Sequence, residues 1–179
     1  MKDVSQLQMM AYASLLAALT AVGAYIAVPI GPVPIVLQSL FILLSGLLLG
    51  STWGVAGVGI YLLAGAFGLP VFAGGAGGIG RFIGPTGGYL LGFLPAVYVI
   101  GLISEQKKQS ALIDITAMIC GTIIIYACGV SWLKVLTGMD LKKAVAVGMI
   151  PFLIGDALKI AAAVFIARSV RPVIGRSRI

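Results

Sequence analysis

Charge is what this sequence has least of. Only 9% of its 179 residues are charged, whereas a soluble globular domain carries about 25%. Residues 4–79 contain no Asp, Glu, Lys, Arg or His at all. A chain with so few charged side chains cannot cover a water-facing surface, which excludes the class of ordinary soluble domains. We therefore expect it to lie in a lipid bilayer.

Residues that carry chemistry are also scarce. The chain has no histidine and five acidic residues, and its two cysteines, Cys120 and Cys128, lie in one apolar run. This set offers little for metal binding or acid–base catalysis, so we expect neither an enzyme nor a cofactor. The P-loop pattern G-x-x-x-x-G-K-[ST] is absent too, so the chain itself is not predicted to hydrolyse ATP. A lipid-modifying enzyme is a distant alternative, since no nucleophile–base pair is evident.

Long apolar runs dominate what is present. A membrane-spanning helix needs about 20 mainly apolar residues, and the runs here accommodate about six such helices. A closed β-barrel is excluded because the runs are apolar on both faces. We predict an all-α membrane protein with six transmembrane helices in a single domain, residues 1–179. The predicted helices cover residues 8–28, a stretch ending at 50, and residues 53–67, 87–104, 111–133 and 151–170.

The basic residues suggest an orientation. With six spans both termini lie on one side, which would carry seven of the Lys and Arg residues against four on the other. The positive-inside rule then places the termini in the cytoplasm of a cell-membrane protein, although the last loop is a contrary signal. The same distribution argues against a nucleic-acid partner despite a net charge of +7. The seven are Lys2, Lys107, Lys108, Arg168, Arg171, Arg176 and Arg178, and the four are Arg81, Lys134, Lys142 and Lys143.

Two opposite charges lie inside the last predicted helix. Asp156 and Lys159 are three residues apart and therefore share one helix face. Ionisable residues within a spanning segment are costly, which makes them candidates for function. The alternative is a structural ion pair that seals the helix bundle.

A loop of residues 69–88 between predicted helices 3 and 4 is apolar yet rich in glycine and proline. Irregular backbone at membrane depth is stable only where it is buried in protein or lines a cavity. Its glycine N–H groups could bind anionic oxygens, and Arg81 is its only charge. The alternative for Arg81 is an extension to the lipid headgroups.

Small residues form a stripe on the first predicted helix. Ala13, Ala17 and Ala21 are spaced four apart, which allows another helix to approach closely in lipid. Packing within the chain is the alternative to docking of a partner.

Four segments of the chain strongly resemble the BioY family, the biotin-binding S components of energy-coupling-factor (ECF) transporters. The resemblance extends over nearly the whole chain in the right order. The segments are residues 32–38 (PVPIVLQ), 68–75 (GLPVFAGG), 84–93 (GPTGGYLLGF) and 155–159 (GDALK).

The resemblance implies a six-helix protein with an outward-facing biotin pocket. Such a protein is energised by a transmembrane coupling subunit and two ATPase subunits, and Ala13, Ala17 and Ala21 resemble the helix-1 motif that docks on the coupling subunit. We expect Asp156 to accept from a ureido N–H and Lys159 to donate to an oxygen. Arg81, Thr86 and the backbone of residues 74–78 would hold the carboxylate end. The expected biotin-binding residues are Gln38, Phe72, Gly74, Gly75, Arg81, Thr86, Tyr89, Asp156 and Lys159.

Two other functions stay open at this point. One is an S component for a different vitamin. The other is a small proton-coupled secondary transporter in which Asp156 takes up the proton.

Overall fold

The protein is a bundle of helices. A computed structural model describes residues 2–29, 31–106, 110–172 and 174, with residues 2–5 described by their backbone alone. Four of the counted basic residues, Lys107, Lys108, Arg176 and Arg178, lie outside the described residues. The helices are α1 Lys2–Tyr25, α2 Gln38–Ala66, α3 Gly80–Ile83, α4 Gly87–Ser104, α5 Ala111–Thr137, α6 Leu141–Gly148 and α7 Leu153–Val170, with a 3₁₀ turn at Ile150–Phe152.

Two short strands connect α1 to α2. Strand β1 (Ala27–Val28) pairs antiparallel with β2 (Ile35–Val36). Three prolines stand between them, at 29, 32 and 34, and a proline has no N–H to continue a helix. The connection therefore leaves the helical path, and we call the end of the bundle where it lies the loop end. The loops between α2 and α4 and between α5 and α7 lie at the same end.

Helix α2 is interrupted by a sharp turn at Gly50, whose φ of 81° and ψ of −170° are not helical. A Cβ added to Gly54 would lie 2.8 Å from the carbonyl oxygen of Ser45. In a straight helix residues nine apart are separated by about 13 Å, so the chain folds back at Gly50. The first arm (residues 38–49) and the second arm (residues 51–66) are thus antiparallel, which matches the turn expected between predicted helices 2 and 3.

The turn at Gly50 exposes backbone groups that side chains from other helices satisfy. The N–H of Ser51 donates to Oε1 of Glu105 at 2.9 Å. The carbonyl of Leu47 accepts from Nη2 of Arg171 at 3.2 Å, and Asp114 holds that guanidinium by two bonds of 2.7 and 2.8 Å. Because unpaired backbone groups are costly in a membrane, these contacts stabilise the turn. We call it the capped turn.

The arms of α2 and helix α4 form the centre of the bundle, and the outer helices turn apolar side chains outward. Large exposed apolar side chains on α5 and α7, such as Leu112, Ile154 and Phe165, are 75–80% exposed. Such a surface would be unfavourable in water and is typical of contact with lipid. The fully buried centre contains Ile42, Leu43, Leu47, Leu49, Val58, Val97, Ile100, Met118 and Leu133.

The fold class is confirmed, since five helical segments among the described residues are long and apolar enough to cross a membrane. The count of six spans stays a prediction. The two arms of α2 are about 18 and 24 Å long at 1.5 Å per residue, against a hydrocarbon core of about 30 Å.

One detail of the sequence analysis was wrong. Residues 141–148 form helix α6, with Asp140 as its N-cap, instead of a loop. Arg171, one of the seven basic residues counted for the orientation, is buried and paired with Asp114.

Candidate binding cavity

A cavity of about 180 Å³ opens between the helices at the loop end. Its walls come from the proline-rich connection, the loop of residues 67–86 and helices α2, α4, α5 and α7, with Phe152 from the 3₁₀ turn. It is mainly apolar, with a few polar side chains, as is usual for sites that bind small molecules. Lining residues include Val33, Pro34, Gln38, Ser39, Phe72, Arg81, Thr86, Tyr89, Phe93, Tyr126, Asp156 and Lys159.

The predicted pair in the last helix forms the polar part of this cavity. Nζ of Lys159 lies 3.0 Å from Oδ1 of Asp156 and donates to Oγ of Ser39 at 2.9 Å. The hydroxyl of Tyr126 donates to Oδ2 of the same carboxylate. The side chains of Lys159 and Asp156 are 11% and 15% exposed, so water screens them little. Helices α2, α5 and α7 meet in this polar cluster, which consists of Ser39, Tyr126, Asp156 and Lys159.

Gln38 adds an unpaired donor beside the cluster. It begins α2, is 2% exposed and lines the cavity. Its Nε2 has no hydrogen-bond partner among the described residues. Lys159 also retains one N–H, since an ammonium carries three and two are used. The cavity thus offers free donors to an acceptor group of a ligand. A buried unpaired amide is costly, so a ligand acceptor that bonds to Gln38 would gain free energy of binding.

Aromatic rings form the apolar walls. Phe72 is 2% exposed and makes edge-to-face contacts with Tyr61 and Phe82, with ring centroids 5.6 Å apart in each case. Tyr89 packs its ring against Gly129 and donates its hydroxyl to the carbonyl of Gly148 at 2.7 Å. Phe72 and Tyr89 thus both line the cavity, and their rings offer flat apolar surfaces to a ring or an apolar chain of a ligand.

Two further predicted residues lie at the cavity. Thr86 is half-buried at the start of α4, and its carbonyl accepts from the N–H groups of Tyr89 and Leu90. Arg81 lies in α3, is exposed and also lines the cavity. Its guanidinium is available for an anionic group that enters from the loop end.

Gly74 and Gly75 are not among the cavity-lining residues, so the structure does not bring them together with the other predicted binding residues. The N–H of Gly74 donates to the carbonyl of Ala24 at 3.0 Å, and that of Gly75 to the carbonyl of Phe72 at 2.9 Å. These N–H groups are already bonded within the chain, so they do not point at a ligand.

The alanine stripe of α1 divides between two surroundings. Ala13 is 2% exposed because it packs on Gly57 of the second arm. Ala17 and Ala21 are half-buried at the edge of this contact. The intramolecular packing expected as the alternative thus accounts for Ala13, and docking through Ala17 and Ala21 stays a prediction.

Sequence reasoning missed Tyr126 and Ser39. Tyr126 lies within a long apolar helix where no sequence pattern distinguishes it from a core or lipid-facing aromatic residue. Ser39 is adjacent to Gln38 in a quoted motif, but only the fold brings it to Lys159, 120 positions further on.

The chain is similar to known proteins over nearly its full length. The BioY family model matches residues 1–176. A biotin transporter BioY of Thermotoga maritima is 45% identical over 155 residues, which cover 87% of this chain and 90% of the relative. A BioY of Rhodobacter capsulatus is 41% identical over 167 residues, covering 86% and 87%.

A solved structure agrees with this. The crystal structure of an S component for biotin from an ECF-type ABC transporter superimposes with a TM-score of 0.89 at 29% identity. The match covers 96% of this chain and 95% of the solved one. With the family match and the identities above, it confirms the resemblance found in the sequence: this multi-pass membrane protein belongs to the BioY family.

Proposed function

We propose that the chain captures biotin in the cavity at the loop end and acts as the substrate-specific S component of an ECF-type transporter. One observation carries the proposal: a mainly apolar cavity contains the polar cluster with its carboxylate, together with free donors on Lys159 and on the neighbouring Gln38. Biotin has a matching division, since a polar ureido ring is joined to an apolar ring and tail. The names of the relatives and of the solved structure support the same ligand.

The polar cluster suits the ureido group. Asp156 would accept from a ureido N–H, because its carboxylate retains free lone pairs beside its bonds to Lys159 and Tyr126. Lys159 and the unpaired Nε2 of Gln38 would donate to the ureido oxygen. Phe72 and Tyr89 would pack against the ring or the tail, and Arg81 and Thr86 would hold the carboxylate. This assignment leaves no charged group of the ligand in an apolar wall.

Transport would need partner subunits. The chain lacks a P-loop, so ATP would be hydrolysed by two ATPase subunits and the work transmitted by a transmembrane coupling subunit. We place the protein in the cell membrane with both termini in the cytoplasm, which turns the loop end and its cavity outward. The docking surface for the coupling subunit would lie on α1.

Biotin affinity of the purified protein tests the capture step. Hydrogen bonds to charged groups contribute about 1.5–3 kcal/mol each, so Asp156→Asn and Lys159→Met should each weaken binding by at least about tenfold. Isothermal titration in detergent measures this directly. Asp140→Asn and Lys142→Met are matched controls, since both residues are exposed at or near the start of α6.

The outcomes separate the candidate functions. Loss of affinity in the two cavity variants with full affinity in the controls supports capture by this cluster. Unchanged affinity in both cavity variants would remove Asp156 and Lys159 from the site. If the unaltered protein binds another vitamin instead of biotin, the alternative S component is correct.

A further inference from the structure

The loop that lines the cavity contains a tight turn, one side of which lines the cavity while the other contacts helix α1. Residues 72–76 form an isolated β-bridge, in which the N–H of Phe72 donates to the carbonyl of Ala76 at 2.8 Å and the carbonyl of Phe72 accepts from the N–H of Ala76 at 3.2 Å. Phe72 and Ala73 line the cavity. Gly74 and Gly75, at φ of 69° and 74°, lie on the other side. The turn therefore separates the cavity from the residues that contact Gly74 and Gly75, and we call it the wall.

What contacts those glycines is the C-terminal end of α1. The carbonyl of Ala24 accepts from the N–H of Gly74 at 3.0 Å. The hydroxyl of Tyr25 donates to the carbonyl of Pro70 at 2.7 Å, across 45 residues of sequence. A Cβ added to Gly75 would lie 3.0 Å from Cε1 of Tyr25, so the ring lies directly on the glycine. Two contacts thus join the last turn of α1 to the wall, and a third joins it to Pro70, two residues before the wall begins.

From this geometry we infer that Tyr25 is a positioning residue for ligand capture: it holds the 72–76 turn, and with it Phe72, against the cavity. Tyr25 does not line the cavity and is 58% exposed, so direct contact with a ligand does not explain its hydroxyl bond. The last carbonyls of a helix need partners outside the helix, and here the wall supplies one of them. This inference rests on the proposed capture of biotin and adds a residue remote from the polar cluster.

The rate of biotin dissociation tests the inference. Tyr25→Phe keeps the ring and removes only the bond to Pro70, so the wall should loosen and biotin should dissociate about fivefold faster. Gly75→Ala disturbs the same contact from the other side and should act in the same direction. Tyr98→Phe is the matched control, since Tyr98 is a 51% exposed tyrosine on α4 and does not line the cavity. Dissociation is followed by chase of labelled biotin from the detergent-purified protein.

A double-mutant cycle separates positioning from general destabilisation. If Tyr25 acts through the wall, Tyr25→Phe should change the dissociation rate by less than about twofold once Phe72→Leu has removed the ring. A full effect in that background would overturn the positioning role, as would an unchanged rate in both Tyr25→Phe and Gly75→Ala. An unaltered protein that does not bind biotin would instead refute the proposed function, so the two failures are distinguishable.

Discussion

At the scale of single residues, the cavity depends on how one carboxylate is held. Asp156 accepts from Lys159 through Oδ1 and from Tyr126 through Oδ2, and Lys159 also donates to the hydroxyl of Ser39. Each side chain comes from a helix that is otherwise almost entirely apolar. Every member of this buried network is bonded to another member, which fixes its geometry before a ligand occupies the remaining donor and acceptor positions.

Tyr126→Phe should therefore weaken biotin binding by about tenfold even though the charged pair remains intact. The substitution removes the bond that holds Oδ2 of Asp156, so the carboxylate is no longer fixed in the direction of the ligand. A hydrogen bond between the ligand and this charged group contributes about 1.5–3 kcal/mol. Titration calorimetry of the purified variant measures the loss. Thr116→Val on the same helix is the control, because its exposed hydroxyl bonds to the carbonyl of Leu112 on its own helix. Equal affinity of Tyr126→Phe and the unaltered protein would contradict the role of Tyr126.

The residues predicted from the sequence fall into two groups, those identified by charge and spacing and those identified by residue type alone. Asp156 and Lys159 are charges in an apolar helix, and their spacing alone places them on one face, so their pairing could be predicted. Gly74 and Gly75 were assigned to a ligand because glycine permits close approach, but composition does not say what approaches. The fold answers that question with Tyr25 and Ala24. Partners distant in sequence, such as Ser39 and Lys159, needed the structure.

At the scale of helices, the sharp turn within α2 is the feature that departs most from regular helical structure. Gly50 has φ of 81° and ψ of −170°, a region that essentially only glycine occupies. Glu105 and Arg171, from the ends of α4 and α7, satisfy groups on either side of it. Asp114 of α5 in turn holds Arg171. The capped turn thus joins helices α2, α4, α5 and α7 at the end opposite to the cavity.

Gly50→Ala should lower the free energy of unfolding by about 1–3 kcal/mol, because alanine is strained in that conformation. Gly59→Ala is the matched control in the second arm of the same helix. It has a helical backbone and open space around its Cβ position, so alanine there should be neutral or stabilising by up to about 1 kcal/mol. Thermal unfolding in detergent compares the two. A Gly50→Ala protein as stable as Gly59→Ala would contradict the strain at the turn.

Predictability differs between the helices for a physical reason. Helix α4 has the predicted bounds, residues 87–104, because glycines and a proline precede it and a polar segment follows. Helix α6 was taken for a loop, since Lys142 and Lys143 interrupt its apolar residues and it is too short to cross a membrane. The N–H of Lys143 donates to Oδ1 of Asp140, which is the N-cap of α6. An aspartate at this position is the sequence signal that could have indicated the helix.

At the scale of the whole molecule, capture and transport would use different surfaces. The cavity lies at the loop end, whereas α1 packs mainly against α2 and leaves much of its surface free, with 28% of its spanning segment buried. Ala17 and Ala21 lie at the edge of that free surface. A partner helix can approach closely only where side chains are small.

Ala17→Leu combined with Ala21→Leu should therefore leave biotin affinity unchanged and reduce uptake by at least about tenfold in cells that also produce the coupling and ATPase subunits. Ala13 is left unaltered because it packs on Gly57, where a larger side chain would disturb the fold. Ala161→Leu adds the same volume at an exposed position of α7 and should retain uptake. Full uptake by the double variant would contradict docking through these alanines. Uptake by this chain alone, abolished by an uncoupler, would favour proton coupling over an ATP-driven module, since Asp156 would then carry the proton and no partner would be needed.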